Sequence, residues 1–175
     1  FPYTTLFRSL TFLVAFGSIS LRVFLPLILR TFGFRRTLLM NTPIMAALVA
    51  GYALMRPDSP YWLLAAYIFV FGAFRSTQWG STGNLSYSDI PSEQLGRFSA
   101  FYFVAWQTSV TIGVGVASAL LAFLSGPGGH ASVADFRIVF LLEGLITLSA
   151  IIAYSTLKPT DGGHVSGNAV PAALA

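Results

Sequence analysis

Long apolar runs alternate with short polar breaks along this chain. Each run holds about 20 residues, enough for a helix to cross a hydrocarbon core of about 30 Å. The pattern predicts five membrane spans, at about residues 10–29, 37–55, 61–85, 98–124 and 136–157. Pro26 falls inside the first and removes the hydrogen bond to the Arg22 carbonyl, so a bend is expected at that turn. Pro43 sits near the start of the second. Between these two spans, Arg30, Arg35 and Arg36 flank Phe32, Gly33 and Phe34 in a short basic loop. Arg56 to Pro60 reads as a tight turn, and Tyr61 and Trp62 after it suit the headgroup level. The stretch Gly126 to Gly129 cannot be helical. Residues 159–175, rich in Gly, Ala and Pro with few charges, are expected to form a disordered cytoplasmic tail.

The third run differs from the rest. From Arg75 to Arg97 it reads RSTQWGSTGNLSYSDIPSEQLGR, and on a helix Arg75, Gln78, Trp79 and Thr82 share one face. Lipid offers such groups no partners, so this face must meet protein or water, which makes it a substrate or ion pathway by default. For Arg75 the structural alternative is snorkelling, since about ten residues, roughly 15 Å, separate it from the helix end. Arg22 has apolar neighbours and is read as snorkelling or pairing with another helix. Gln78, Asn84 and Gln107 either bind substrate or tie helices together. Trp79 and Trp106 could stack on a ligand, or pack between helices. Gly113, Gly115, Ala117 and Ala119 form a small-residue seam suited to tight helix packing. Glu143 is the only carboxylate inside a predicted span. In a proton-coupled carrier it would be the proton site; otherwise it pairs with Arg75 or Arg22, or lies outward near the surface.

Composition agrees with the pattern. Hydrophobic residues make up 55% of the chain and charged residues 9%, against roughly 25% charged in soluble domains. Mean hydropathy is +0.72. These values describe an all-α, multi-pass integral membrane protein with the lipid bilayer as its main partner. The net charge of +4 comes from arginines at the ends of apolar runs, so it sets topology and does not point to nucleic acid. Arg30, Arg35, Arg36, Arg97 and Lys158 fall on one side, against Arg56 and the border residue Arg137 on the other. That bias places the first group in the cytoplasm, with the inner (plasma) membrane as the location. No cysteine is present, so disulfides, thiol catalysis and thiolate metal sites are excluded. His130 and His164 lie in loops without partner ligands, so neither metal nor cofactor is expected. An enzyme is disfavoured too. Ser81 and His130 fall toward opposite sides of the membrane, too far apart for a nucleophile and its base, and no paired intramembrane aspartates exist.

Phe1 to Ser9 stands apart. FPYTTLFRS back-translates to TTTCCCTACACGACGCTCTTCCGATCT, the sequence of a common sequencing-library adapter, and residues 1–9 are read as that artefact fused to a shortened frame. An amphipathic entry segment is the alternative. On the artefact reading, the natural chain has further helices upstream.

The segments LRTFGFRRTLL, FRSTQWGSTGNLSYSDIP and LKPTDGGHVSG together resemble the closing portion of the major facilitator superfamily, most like its fourteen-span drug:proton antiporter subfamily. The resemblance covers nearly all of residues 10–167. It implies about five of the six helices of a second bundle, a missing N-terminal half as partner, and proton-driven export of small amphipathic or cationic compounds by alternating access. On this resemblance Arg75, Gln78, Thr82, Asn84 and Gln107 would line the substrate cavity, and Glu143 would couple protons. Arg30, Gly33, Arg35 and Arg36 would match the cytoplasmic loop motif, although the acidic residue of that motif is absent here. A carrier of sugars or organic anions, or a non-transporting membrane assembly protein, is the alternative.

Overall fold

The computed structural model of the protein describes residues 2–56, 58–126 and 129–167. Its elements are α1 (Pro2–Gly51), α2 (Tyr61–Ser88), α3 (Leu95–Ser125), α4 (Val133–Ser155) and a single turn, α5 (Gly163–Ser166). No strand occurs among the described residues. Three helical stretches are long and apolar enough to cross a membrane: Thr11–Leu54, Ser92–Ser125 and Val133–Ser155. α2 has the length, 28 residues, but its polar face lowers its hydropathy.

A straight helix over the 44 residues of Thr11–Leu54 would measure about 66 Å, twice the hydrocarbon thickness. It does not run straight. Gly33 adopts φ 73°, ψ 171°, a region open to glycine and strained for other residues. The chain reverses there, as its contacts with α2 demonstrate. In the first arm (residues 2–32), Ser18 bonds the Gly72 carbonyl and Leu25 packs on Gly80, so numbers rise together. In the second arm (residues 34–51), Asn41 bonds Gln78 while Leu48 meets Tyr67, so they run oppositely. The dihedrals stay helical through Pro26 and Pro43. The break therefore lies at Gly33, where positive φ is free, and not at the turn of Pro26, where the missing hydrogen bond leaves the dihedrals helical.

α2 is clasped between the two arms. A Cβ at Gly17 would collide with the Phe69 carbonyl, and one at Gly72 with the Val14 carbonyl. The Ser18 hydroxyl donates to Val14 O (2.8 Å) and Gly72 O (3.1 Å) at the same crossing. α4 packs on the second arm through Gly144, where a Cβ would lie 2.9 Å from Ala46 O. The Tyr52 ring joins three elements, meeting Tyr67, Phe71 and Phe140 at centroid distances of 5.0, 5.5 and 5.4 Å. α4 starts on a capping box: Ser132 Oγ accepts from the Asp135 amide, and Asp135 Oδ2 accepts from the Ser132 amide.

α3 stands at the edge and buries no residue. Gly113 and Gly115 have open space where a side chain would go, so the expected seam is not a packed interface within this chain. Close approach by small residues occurs instead at Gly17, Gly72 and Gly144.

At the opposite end from Tyr52, the chain turns back after α4. Gly162, at φ 67°, sits against the Phe34 ring and Leu85, and Phe34 is only 1% exposed. The tail expected to be disordered from residue 159 thus folds onto the reversal as far as residue 167, because an aromatic ring at the turn gives it something to cover. Its remainder, residues 168–175, lies outside the described residues, as do Phe1, Pro57, Pro127 and Gly128.

Gly72→Val should unfold the clasp: overpacking against backbone costs about 1–3 kcal/mol or more, read as a lower Tm of the chain in detergent. Gly113→Val, in open space, should leave that Tm unchanged.

Candidate functional site

The polar face of α2 divides between two jobs. Toward the second arm it is structural: Asn41 Nδ2 donates to Gln78 Oε1 (2.7 Å) and to Phe74 O (3.1 Å), and Gln78 Nε2 donates to Thr42 Oγ1 (3.2 Å). Asn41 and Thr42 are 5% and 1% exposed. In an apolar medium such groups must find partners, and these find each other. Ser81 is fully buried as well, and its hydroxyl has no partner among the described residues.

Away from the second arm, the same helix opens into two adjoining cavities. The larger, about 520 Å³, lies between the first arm, α2 and the start of α3, and is bordered by Arg22, Arg75, Asn84 and Tyr87. The smaller, about 430 Å³, is bordered by Gln78, Thr82, Trp106 and Tyr154. Trp79 and Tyr102 line both. The Arg75 guanidinium lies 4.6 Å from the centre of the Trp79 ring, a cation–π contact that holds the charge in place while leaving it a charge. Trp79 meets Trp106 edge-on at 5.4 Å, and Thr82 Oγ1 lies 3.3 Å from the Tyr154 hydroxyl. Tyr87 packs against Phe98 and Tyr102 at 4.9 and 5.4 Å. Aromatic rings are what join α3 to α2.

Of the residues read from sequence as cavity-lining, Arg75, Gln78, Thr82 and Asn84 come together here. Gln107 does not; it is exposed on α3, next to Trp106, which does line the site. Arg22, read as a snorkelling or pairing residue, borders the larger cavity. Tyr102 on α3 and Tyr154 on α4 also line the site; each is an aromatic ring within an apolar run, so no polar periodicity marks it. Asn41 was missed although Thr37, one turn before it, and Thr42, beside it, are polar as well.

Glu143 lies elsewhere. It is half-buried in an apolar hollow of about 370 Å³ between the second arm, α3 and α4, beside Val49, Gly113, Ala117 and Phe140. That hollow shares no lining residue with the cavity of Arg22 and Arg75. At the Gly33 reversal, Arg36 is exposed and Arg30 runs alongside Gly167. Arg35 is half-buried, with Nε enclosed and without a partner among the described residues.

The chain is similar to proteins named for transport. It is 26% identical over 141 residues to the "Putative multidrug resistance protein MdtD" of Pectobacterium atrosepticum, covering 81% of this chain and 30% of that protein. The protein of the same name from Klebsiella pneumoniae strain 342 gives 26% identity over the same shares. The "Probable transport protein HsrA" of Haemophilus influenzae is 24% identical over 157 residues, 87% of this chain and 33% of that protein. The chain thus spans about a third of the length of the curated relatives it matches. No protein-family profile and no solved structure matches it. Apolar helices and these relatives together support a multi-pass membrane protein, similar to proteins named for transport.

Asn41→Leu and Gln78→Leu should couple in a double-mutant cycle. Hydrogen bonds between membrane helices give about 0.6 kcal/mol on average and up to about 1.7; the three-contact network here predicts the upper part of that range, measured as unfolding free energy in mixed micelles.

Proposed function

We propose that this chain is the closing portion of a major-facilitator-type secondary transporter, with five spans supplying most of its second bundle, and that the whole protein exports small amphipathic compounds against protons. The observation that carries the reading is the polar face of α2, which opens into a pair of cavities walled by the first arm and α3 instead of closing on a neighbour. A carrier needs such a wall near the midplane, facing the other bundle. The names of the relatives support the multidrug class.

Five crossings follow if the arms of α1 each span once and α2 crosses despite its polarity. The basic residues Arg30, Arg35, Arg36, Arg97 and Lys158 then gather at the end where α5 covers Gly33, and that end faces the cytoplasm. Residues 30–36 would act at the cytoplasmic gate, where a reversal of almost no length makes the two arms move as one piece. Arg75, Thr82 and Asn84 form the substrate wall, with Gln78 linking it to the second arm. Gln107 would join it only through rotation of α3, an edge helix held to α2 by rings. Glu143 is the proton-coupling candidate: it is a carboxylate in an apolar hollow that shares no lining residue with the cavity of Arg22 and Arg75.

The test uses the intact transporter containing this segment, reconstituted in liposomes with an imposed pH gradient. Glu143→Gln should abolish gradient-driven efflux while preserving substrate exchange. Gradient-driven efflux that survives the substitution would remove Glu143 from coupling, and loss of folded protein would make it structural. Trp79→Ala should lower efflux about tenfold or more, the scale of a lost aromatic stacking partner.

A further inference from the structure

Among the described residues, two arginines and no carboxylate border the larger cavity. Arg22 from the first arm and Arg75 from α2 both face it, and neither this hollow nor the adjoining one has an aspartate or glutamate in its lining. Of the two, Arg22 is the more exposed and Arg75 the more enclosed. A cation removed from water costs several kcal/mol unless it is paired. Of the two carboxylates of α4, Asp135 caps the helix start at Ser132 and Glu143 lies in a separate hollow. Arg75 rests on the Trp79 face at 4.6 Å, and a π face supports a guanidinium without neutralising it. The cavity thus carries two like charges awaiting a counter-charge.

The adjoining hollow is walled mainly by aromatic rings. Trp79, Trp106 and Tyr102 line the adjoining space, and the two hollows, about 520 and 430 Å³, match the size of sites for drug-sized ligands, about 300–1,000 Å³. Tyr87 and Asn84 at the rim of the larger hollow add neutral hydrogen-bonding groups. A ligand that satisfies all of this bears an anionic group for the fork of a guanidinium and a planar ring for the indoles. A cationic ligand would meet two repelling charges with no carboxylate to offset them.

We propose that this cavity binds aromatic organic anions, carboxylates or sulfonates, with the anionic group between Arg22 and Arg75 and the ring against Trp79 and Trp106. The inference rests on the transporter reading and names the ligand class of the same site. It sets the charge of the ligand opposite to that of the cationic compounds the family resemblance suggests.

The experiment is equilibrium dialysis of the intact protein in nanodiscs of zwitterionic lipid, with three probes: 2-naphthoate, (2-naphthyl)methylammonium and acetate. The first two share a ring and differ in charge, while the third keeps the carboxylate alone. 2-Naphthoate should bind saturably and at least about tenfold more tightly than either other probe. Arg22→Gln and Arg75→Gln should each weaken it about tenfold or more, the scale of a lost hydrogen bond to a charged group. Arg75→Lys should restore part of the loss, and Arg56→Gln, on the opposite side of the bundle, should change nothing. Equal or tighter binding of the ammonium overturns the inference, as does unchanged naphthoate binding in both glutamine variants; the wild-type comparison alone decides if the variants fail to fold. Transport of the ammonium without naphthoate binding would overturn the ligand class and leave the transporter reading. Naphthoate binding with no transport of either probe would do the reverse.

Discussion

A hydrocarbon core supplies no hydrogen-bond partners, and the arrangement of this bundle follows from that constraint acting on one helix. α2 carries more polar side chains than lipid can tolerate, so it occupies the centre. The second arm of α1 satisfies part of its face through Asn41 and Thr42. The first arm meets the backbone at Gly72 through Ser18. What remains, from Arg75 to Asn84, is left to the cavities. The more apolar helices α3 and α4 lie around it, and α3 exposes nearly its whole length.

The clasp depends on a reversal with almost no loop. Gly33 turns the chain by its positive φ, so both arms of α1 lie against α2 without a flexible connection between them. Phe34 follows the turn and is buried by Leu25, Leu29 and Leu85, and Gly162 closes over the ring from the chain after α4. Three segments distant in sequence thus meet at one end of the bundle. Glycines recur at the tight crossings because backbone contact between helices, once achieved, leaves no room for a Cβ.

Charge is sorted by position across the bundle. Arg22 and Arg75 border one cavity beside α2, and Glu143 lies in a separate hollow between the second arm, α3 and α4. A carboxylate placed between Arg22 and Arg75 would form a fixed ion pair and leave little for a ligand to do. Separation keeps both kinds of group available. α3 and α4 are common to the two hollows: Trp106 and Tyr154 line one, and Gly113, Ala117 and Phe140 border the other.

The membrane class, the helical segments and the polar face of α2 were legible in the sequence, because hydropathy and the 3.6-residue period are local properties that each residue carries with it. Arg75, Gln78, Thr82 and Asn84 stand out as polar positions of one helix for the same reason. Tertiary structure alone decided which neighbour each face met. Pro26 drew the expected bend, yet Gly33 took it, since a break needs both a permissive backbone and a partner helix to fold against. Gln107 was chosen for polarity while Trp106 borders the hollow, and Arg22, read as snorkelling or pairing with another helix, shares a cavity with Arg75. Gly113 to Ala119 looked like a packing seam and borders open space, because small size permits close approach without supplying the helix that approaches. Pairings between segments depend on where the chain reverses, and that was settled by a single glycine dihedral that no periodicity encodes.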